Sequence, residues 1–154
     1  MTQYFVDSSA LVKRYMRESG SDWMRSITDS QSGHNILIAD ITSIEIMSGI
    51  MRRKREGELP EQTASALRQL LEIHVNRDYT VIRLTDSIVQ RAKDLLEVHP
   101  LRAYDAVQLA SAIEVNIRLI HNNLDVLTFV SADTRLFAVA RAESLLTQDP
   151  NLYP

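Results

Sequence analysis

Short apolar runs alternate with longer amphipathic segments along the chain, and this alternation most strongly limits the folds that the sequence can adopt. Runs such as Gln3–Val6 and Asn35–Ala39 are too short for helices, so we expect strands there. Two more strands are expected over residues 79–84 and 126–130. The predicted helices cover residues 10–17, 20–30, 42–55, 60–75, 86–99, 101–114 and 136–142. Because such alternation is typical of a parallel sheet covered on both faces, the sequence predicts a three-layer α/β/α sandwich with a short, mainly parallel central sheet.

Composition is consistent with one domain over residues 1–154. The 45% hydrophobic content is ordinary, and a chain of this length buries enough surface to fold without cross-links. The absence of cysteine excludes disulfides, thiolate metal sites and cysteine nucleophiles. No apolar run approaches the roughly 18 residues of a membrane span, so we expect a cytoplasmic protein without a membrane partner. A net charge of -3 disfavours a protein that coats nucleic acid by bulk electrostatics.

One acidic side chain interrupts the apolar face of the helix predicted over residues 101–114. Asp105 lies four residues after Leu101 and four before Leu109, so these three side chains share one face. A carboxylate among buried apolar side chains is costly unless a positive group pairs with it. Arg102 is close enough along the helix to do so. Otherwise, Asp105 pairs with a more distant cation, or several carboxylates share a metal ion.

Three further acids are expected at the same edge of the sheet. Asp7 directly follows the first predicted strand, and Asp133 follows the last one by three residues. Glu45 falls in the first turn of the helix that comes after the second strand. Because ligands bind outside the carboxyl ends of parallel strands, we expect these acids to meet Asp105 there. Carboxylates so close together repel one another, and oxygen-only ligation of Mg²⁺ or Mn²⁺ would relieve that repulsion.

Each of the three strand-end acids also has a purely structural explanation. Asp7 and Asp133 stand where aspartates commonly cap the N-terminus of a helix. Glu45 follows Thr42 by three residues, and this spacing is that of a capping box. For Asp105, which lies inside a helix, the structural alternative is an ion pair with an arginine.

Four stretches of the sequence, taken together, resemble the PIN-domain family. They are YFVDSSALVK at residues 4–13, TSIE at 42–45, LRAYDAVQLA at 101–110 and FVSADTRL at 129–136. Their order and separations resemble those of the family across nearly the whole chain, and the resemblance is greatest to the VapC toxins of type II toxin–antitoxin systems. The resemblance implies a PIN-like fold and a metal-dependent ribonuclease. It also implies an acidic site of catalytic and metal-binding residues: Asp7, Glu45, Asp105 and Asp133.

The same resemblance implies the chemistry of the site. We expect a Mg²⁺-dependent endoribonuclease, with Mn²⁺ as a possible substitute, in which metal-activated water hydrolyses an RNA phosphodiester and leaves a 5′-phosphate and a 3′-hydroxyl. Ser8 and Ser131 match positions that commonly form hydrogen bonds near the metals. Four arginines near the predicted rim are candidates for phosphate contacts, with surface ion pairs as the alternative: Arg14, Arg17, Arg102 and Arg135.

The resemblance further implies two protein partners, a second copy of the chain in a homodimer and an antitoxin whose C-terminal segment occupies a groove at the site. Two regions are candidates for that groove, and core packing is the alternative explanation for both. One is the face formed by Ile44, Met47, Ile50 and Met51. The other lies around Tyr15 and Trp23.

Other functions remain open at this point. One alternative is a housekeeping or RNA-processing PIN nuclease without an antitoxin. Another is a non-cleaving PIN binding module, although the presence of all four acids counts against it. A phosphoacceptor signalling domain is disfavoured, because no lysine follows position 93 and Asp7 is followed by a serine. A glycine-rich phosphate loop is absent. The histidines at positions 34, 74, 99 and 121 lack metal-binding spacing, and we interpret them as structural or surface residues.

Overall fold

A sheet of five parallel strands forms the centre of the molecule in the computed structural model, which describes all of residues 1–154. The strands are β1 Gln3–Val6, β2 Asn35–Ala39, β3 Tyr79–Ile82, β4 Thr128–Val130 and β5 Leu146–Gln148. Their order across the sheet is β3-β2-β1-β4-β5, and all four neighbouring pairs are parallel. The predicted parallel sheet is therefore confirmed.

Seven helices cover the two faces of this sheet. They are α1 Ser8–Tyr15, α2 Ser21–Thr28, α3 Thr42–Arg55, α4 Glu61–Arg77, α5 Asp86–Val98, α6 Ala103–His121 and α7 Thr134–Ala142, followed by a short 3₁₀ helix at Pro150–Leu152. One apolar cluster joins the sheet to α1, α2, α3 and α4, and a second joins it to α5, α6 and α7. The three-layer α/β/α sandwich predicted from the sequence is confirmed.

The strands read as continuous apolar runs because successive side chains enter opposite cores. In β1, Phe5 belongs to the cluster with α6, where its ring stacks on Phe129 of β4 at 6.0 Å, whereas Val6 belongs to the cluster with α1. Ile38 of β2 lies on the same side as Val6. A strand covered on both faces needs apolar residues at every position, and this explains why the runs show no polar alternation.

The central position of β1 determines where a ligand site forms. The chain passes from β1 to β2 and β3 on one side and then returns to place β4 and β5 on the other. Strand order therefore reverses between β1 and β4. In open parallel sheets, the crevice outside the carboxyl ends of the strands at such a reversal is the usual ligand site.

The structure differs from the predicted elements at several boundaries. The sequence pattern is ambiguous over residues 116–123, and α6 continues through them as far as His121, while β3 ends at Ile82 and β4 begins at Thr128. Thr42 does not cap α3, because the flanking position is Ile41 and the buried Thr42 hydroxyl contacts Gln108 instead. None of the helices is long and apolar enough to span a membrane.

The segment after α7 contains β5, a strand that the sequence did not predict. Only three residues, Leu146–Gln148, pair with β4, and the pairing is parallel. The following 3₁₀ helix then packs against the start of α2, where Gly20 has a φ of 86°. A Cβ atom at Gly20 would lie 2.4 Å from the Pro150 carbonyl oxygen, so this close approach requires glycine.

Candidate active site at the carboxyl edge of the sheet

Asp7 is the most deeply buried acid of the predicted site, with only 2% of its surface exposed. It follows β1 directly and caps α1, where its Oδ1 accepts a hydrogen bond from the Ala10 backbone N–H at 2.9 Å. The Ser9 hydroxyl donates to the same carboxylate at 2.8 Å, and the Ser131 hydroxyl donates to Oδ2 at 2.7 Å. Asp7 therefore has the capping role predicted for it, but two further hydroxyl donors exceed what a cap requires.

Ser9 and Ser131 also fasten the start of α1 to the loop that follows β4. The Ala132 backbone N–H donates to the Ser9 hydroxyl at 3.0 Å, and the Asp133 N–H donates to the Ser131 hydroxyl at 3.2 Å. Asp133 in turn caps α7 by accepting from the Leu136 N–H at 3.0 Å. These bonds hold the two strand ends at the sheet reversal in one fixed arrangement.

The burial of Asp7 has an electrostatic consequence. Loss of solvation raises the pKa of this carboxyl from its ordinary value of 3.8 to about 7. The hydrogen bonds from Ser131, Ser9 and Ala10 oppose that rise, while the nearby charge of Asp105 adds to it. A carboxylate that is held by donors yet remains costly to ionise favours a bound cation as a further partner.

Asp105 and Asp133 face each other across the exposed side chain of Arg102. The guanidinium lies 3.5 Å from the Asp105 carboxylate and 3.7 Å from that of Asp133. Burial raises the pKa of Asp105, repulsion from Asp133 raises it further, and Arg102 opposes both. The predicted pairing of Asp105 with Arg102 is present, but the side chain of Arg102 is 78% exposed, so both ion pairs are weakened by solvent.

Glu45 lies in the first turn of α3, the helix that follows β2, and a buried glutamine orients it. The Gln108 side-chain amide donates to the Glu45 carboxylate at 2.9 Å and to the Thr42 hydroxyl at 3.0 Å. The same amide lies 3.4 Å from the hydroxyl of Ser8, the residue next to Asp7. Gln108 is 1% exposed, so α6 fixes Glu45 relative to the start of α1 through this one side chain.

The donor set suits a hard divalent cation. All four acids supply oxygen, and Asp7 and Asp105 both carry a charge that burial disfavours. In this arrangement, no three acidic or histidine side chains are grouped closely enough around one point to hold a metal ion. The metal-binding role of the acids therefore stays a prediction, supported by their chemistry and by their shared position at the rim.

The predicted phosphate-binding arginines divide into two pairs. Arg102 and Arg135 line a polar cleft together with Asp105 and Asp133. Arg14 and Arg17 lie at the opposite end of α1, because that helix starts at the rim and runs away from it. There, Arg14 donates to the Tyr79 hydroxyl at 2.6 Å, and Arg17 pairs with Asp22 at 2.9 Å. The structure does not bring these two arginines to the acids.

The apolar side chains proposed for a partner groove are also divided. Ile50 and Tyr15 are buried in the core, so neither is available to a partner, and Trp23 stacks on Tyr153 at 4.6 Å. Ile44 alone in these two regions is strongly exposed, at 68%.

Three of the histidines have partners remote from the acids: His34 accepts from the Thr2 N–H, His74 contacts Tyr15 and His99 contacts Glu143.

Comparison with known proteins decides the family. The model of the PIN domain matches residues 4–142, which is most of the chain. The chain belongs to the PIN-domain family. The match contains all four acids at the carboxyl edge of the sheet and ends at the last residue of α7, before β5. Among curated proteins, none is similar enough in sequence to count as a match.

Solved structures of similar fold are distant in sequence. PAE2754 from Pyrobaculum aerophilum aligns with a TM-score of 0.67 at 18% identity, covering 98% of this PIN domain chain and 92% of the other. A chain of VapBC2 from Rickettsia felis, solved with a promoter DNA fragment, gives 0.64 at 14% identity, covering 96% and 98%. VapC20 from Mycobacterium tuberculosis, a Sarcin-Ricin loop cleaving toxin, gives 0.61 at 15% identity, covering 88% and 94%. These likenesses support the fold.

Sequence reasoning missed two residues of this PIN site. Ser9 was overlooked beside Ser8, although it is Ser9 that donates to Asp7. Gln108 was not predicted, although its side-chain amide donates to the carboxylate of Glu45, 63 positions away in the sequence. A signal was available for Gln108: it lies three residues after Asp105, so the two side chains share a face of α6 directed at the rim.

Proposed function

We propose that this protein is a divalent-metal-dependent endoribonuclease and the toxin of a type II toxin–antitoxin pair. The observation that carries the proposal is the environment of Asp7. A carboxylate 2% exposed, held by two hydroxyls and a backbone N–H at the sheet reversal, is unfavourable for stability unless it binds a cation. Membership of the PIN family supports nuclease chemistry at that position. The proposal treats residues 1–154 as a single domain.

Asp7, Glu45, Asp105 and Asp133 are the residues that would hold Mg²⁺ or Mn²⁺. When bound there, the metal would lower the pKa of water and stabilise charge on a phosphodiester that is hydrolysed to a 5′-phosphate and a 3′-hydroxyl. The chain contributes the positions of these acids. Hydroxyl donors fix Asp7, and Gln108 fixes Glu45, so the carboxylates need little rearrangement when a substrate arrives.

The basic side chains at the rim have a separate task. Arg102 and Arg135 line the polar cleft beside Asp105, where a guanidinium can bind a phosphate through two hydrogen bonds. Because Arg102 is exposed and its ion pairs are long, it can turn from the acids to an RNA phosphate at little cost. Ser8 is an accessory residue in this proposal, because its hydroxyl contacts the Gln108 side chain that orients Glu45.

The role as a toxin is a separate part of the proposal from the nuclease chemistry. It is supported by structural similarity to a chain of a toxin–antitoxin complex from Klebsiella pneumoniae, at 18% identity, and to the toxin VapC20. An antitoxin that covers the rim, a homodimer and a cytoplasmic location are part of the same proposal. A PIN nuclease without an antitoxin and a non-cleaving RNA-binding PIN domain are the alternatives that experiments must separate.

Substitution of Asp105 by asparagine tests the nuclease. Asp105→Asn keeps the shape of the side chain but removes the charge that would bind the metal, so we expect loss of Mg²⁺-dependent RNA cleavage with an unchanged circular dichroism spectrum. Asp86→Asn, at an exposed position in the first turn of α5, is the matched control and should cleave normally. Cleavage by the Asp105→Asn variant at the wild-type rate would refute the assigned role.

Expression without a partner tests the toxin. Induction of the wild-type chain in a bacterial host should arrest growth, whereas induction of Asp105→Asn should not. Unhindered growth with active nuclease in the lysate would favour an RNA-processing enzyme over a toxin. RNA binding without cleavage, in purified protein with Mg²⁺ or Mn²⁺, would favour the non-cleaving binding domain.

A further inference from the structure

Two clefts open on either side of the first turn of α6. The polar cleft, of about 490 Å³, is lined by Arg102, Asp105, Asp133, Thr134 and Arg135. The second cleft, of about 350 Å³, is lined by Ile41, Ile44, Glu45, Ser48 and Tyr104, and we call it the Tyr104 cleft. Glu45 is one of the four acids of the rim, so the Tyr104 cleft adjoins the proposed site directly. The nuclease chemistry described above does not use Tyr104 or Ile44.

Two of the three large apolar side chains of the Tyr104 cleft are exposed to solvent, and the third, Ile41, packs against the core. Tyr104 is 64% exposed and Ile44 is 68% exposed, whereas Ala106 and Leu109, further along α6, are fully buried. Tyr104 is therefore not needed to fill the core. An aromatic ring and an aliphatic side chain that line one cleft of this size, within the roughly 300–1,000 Å³ usual for small-ligand sites, suit a flat apolar group.

We propose that the Tyr104 cleft binds one unpaired nucleobase of the RNA, adjacent to the phosphodiester that is cleaved. This inference rests on the proposed ribonuclease function and specifies its substrate. Tyr104 and Asp105 are consecutive on a helix, so their side chains point about 100° apart and line different clefts. A nucleic acid strand likewise presents a base and a phosphate side by side. The arginines of the polar cleft match the phosphate, and the Tyr104 ring matches the base.

The chemistry of the cleft selects single-stranded RNA. A base can stack on a protein aromatic side chain only when it is free of its neighbours in the helix, as in loops, bulges and ends. Stacking on tyrosine needs no particular hydrogen-bonding edge, so it is tolerant of base identity. We therefore expect the Tyr104 cleft to distinguish unpaired from paired RNA rather than one base from another.

A protein segment fits this cleft less well. A helix docked in a groove uses apolar anchors spread over two turns or more, and the Tyr104 cleft offers only a few apolar contacts before it reaches the Glu45 carboxylate. A nucleobase needs no more than one ring and one aliphatic contact. The sugar–phosphate backbone of the bound strand then extends toward Arg102 and Arg135, which supply the complementary charge.

The test compares RNA oligonucleotides with and without a base beside the cleaved bond. The bond is first mapped from the products of wild-type cleavage, and abasic nucleotides are then placed on either side of it. On intact oligonucleotide, Tyr104→Ala should raise KM about tenfold with a smaller effect on kcat, and Tyr104→Phe should resemble wild type. On the oligonucleotide that lacks the base at the stacking position, wild type and Tyr104→Ala should have equal KM values. Val98→Ala, which shortens another exposed side chain, is the control.

A binding measurement keeps the inference testable apart from cleavage. A single-stranded oligonucleotide carrying the fluorescent base 2-aminopurine is titrated with wild-type protein, and stacking on Tyr104 should quench its emission. Tyr104→Ala should abolish the quenching, and a duplex of the same sequence should show none. Failure of wild type to cleave any RNA would refute the proposed function, whereas unchanged quenching by Tyr104→Ala would refute the inference alone.

Two other outcomes would also overturn the inference. An equal rise in KM on intact and abasic oligonucleotides would mean that Tyr104 acts through the fold or the acids and not through a base. RNA kinetics and quenching unaffected by Tyr104→Ala, combined with loss of inhibition by a co-expressed antitoxin, would assign the cleft to a protein partner.

Discussion

Replacing Asp7 by asparagine should stabilise the metal-free protein at neutral and alkaline pH. Raising the pKa of a fully buried carboxyl from 3.8 to about 7 corresponds to about 4 kcal/mol lost from the free energy of unfolding once the group is ionised in both states. Between about pH 4 and pH 7, the unfolded chain releases this proton and the folded chain keeps it. The wild-type protein therefore becomes less stable as pH rises through that window. Asp7→Asn removes the charge and keeps an oxygen for the Ala10 N–H.

The assay is urea unfolding in EDTA at pH 4.5 and pH 8, followed by circular dichroism. We expect wild type to lose a few kcal/mol between the two pH values and Asp7→Asn to lose much less, so that the variant is the more stable protein at pH 8. Asp86→Asn, at an exposed position, should show the same loss in free energy of unfolding between the two pH values as wild type. Added Mg²⁺ should stabilise wild type at pH 8 but not the variant, because it binds the charged carboxylate. Equal destabilisation of Asp7→Asn at both pH values would refute the reasoning.

Three further substitutions, one of them a control, probe the fold and the positioning of the acids. Gly20→Ala should lower the free energy of unfolding by roughly 2–4 kcal/mol, since it adds a clash with Pro150 to the cost of a positive φ. Gly33→Ala, which also has a positive φ but open space around it, should cost only about 1 kcal/mol in the same urea titration, and equal losses would contradict the clash. Gln108→Leu should reduce kcat for RNA by freeing Glu45, and an unchanged kcat in a folded variant would argue against a positioning role.

Most of the fold was predictable because it depends on features that are local in sequence. Strands covered on both faces require apolar runs, and helices covered on one face require periodic ones, so both leave a clear pattern. β5 has no such pattern. Leu146 is exposed and only three residues pair with β4, so this strand is determined by its neighbour rather than by its own composition.

The acids were predictable for a different reason. Asp7 and Asp133 follow strands, and parallel strands end at the same edge of the sheet, so position in the sequence determines position at the rim. Arg14 and Arg17 do not lie near the acids because α1 begins at the rim and runs away from it, so Arg14 is nearly two turns from the rim. Ser9 and Gln108 contact the acids through side-chain hydrogen bonds, which leave no periodic pattern in the sequence, so neither was predicted.

The bond between Ser131 and Asp7 joins residues 124 positions apart. During synthesis, the ribosome tunnel must release the chain beyond α7 before Asp7 can acquire this donor, and before Asp133 can join the rim. A nascent fragment that ends before Asp133 therefore lacks the complete set of acids.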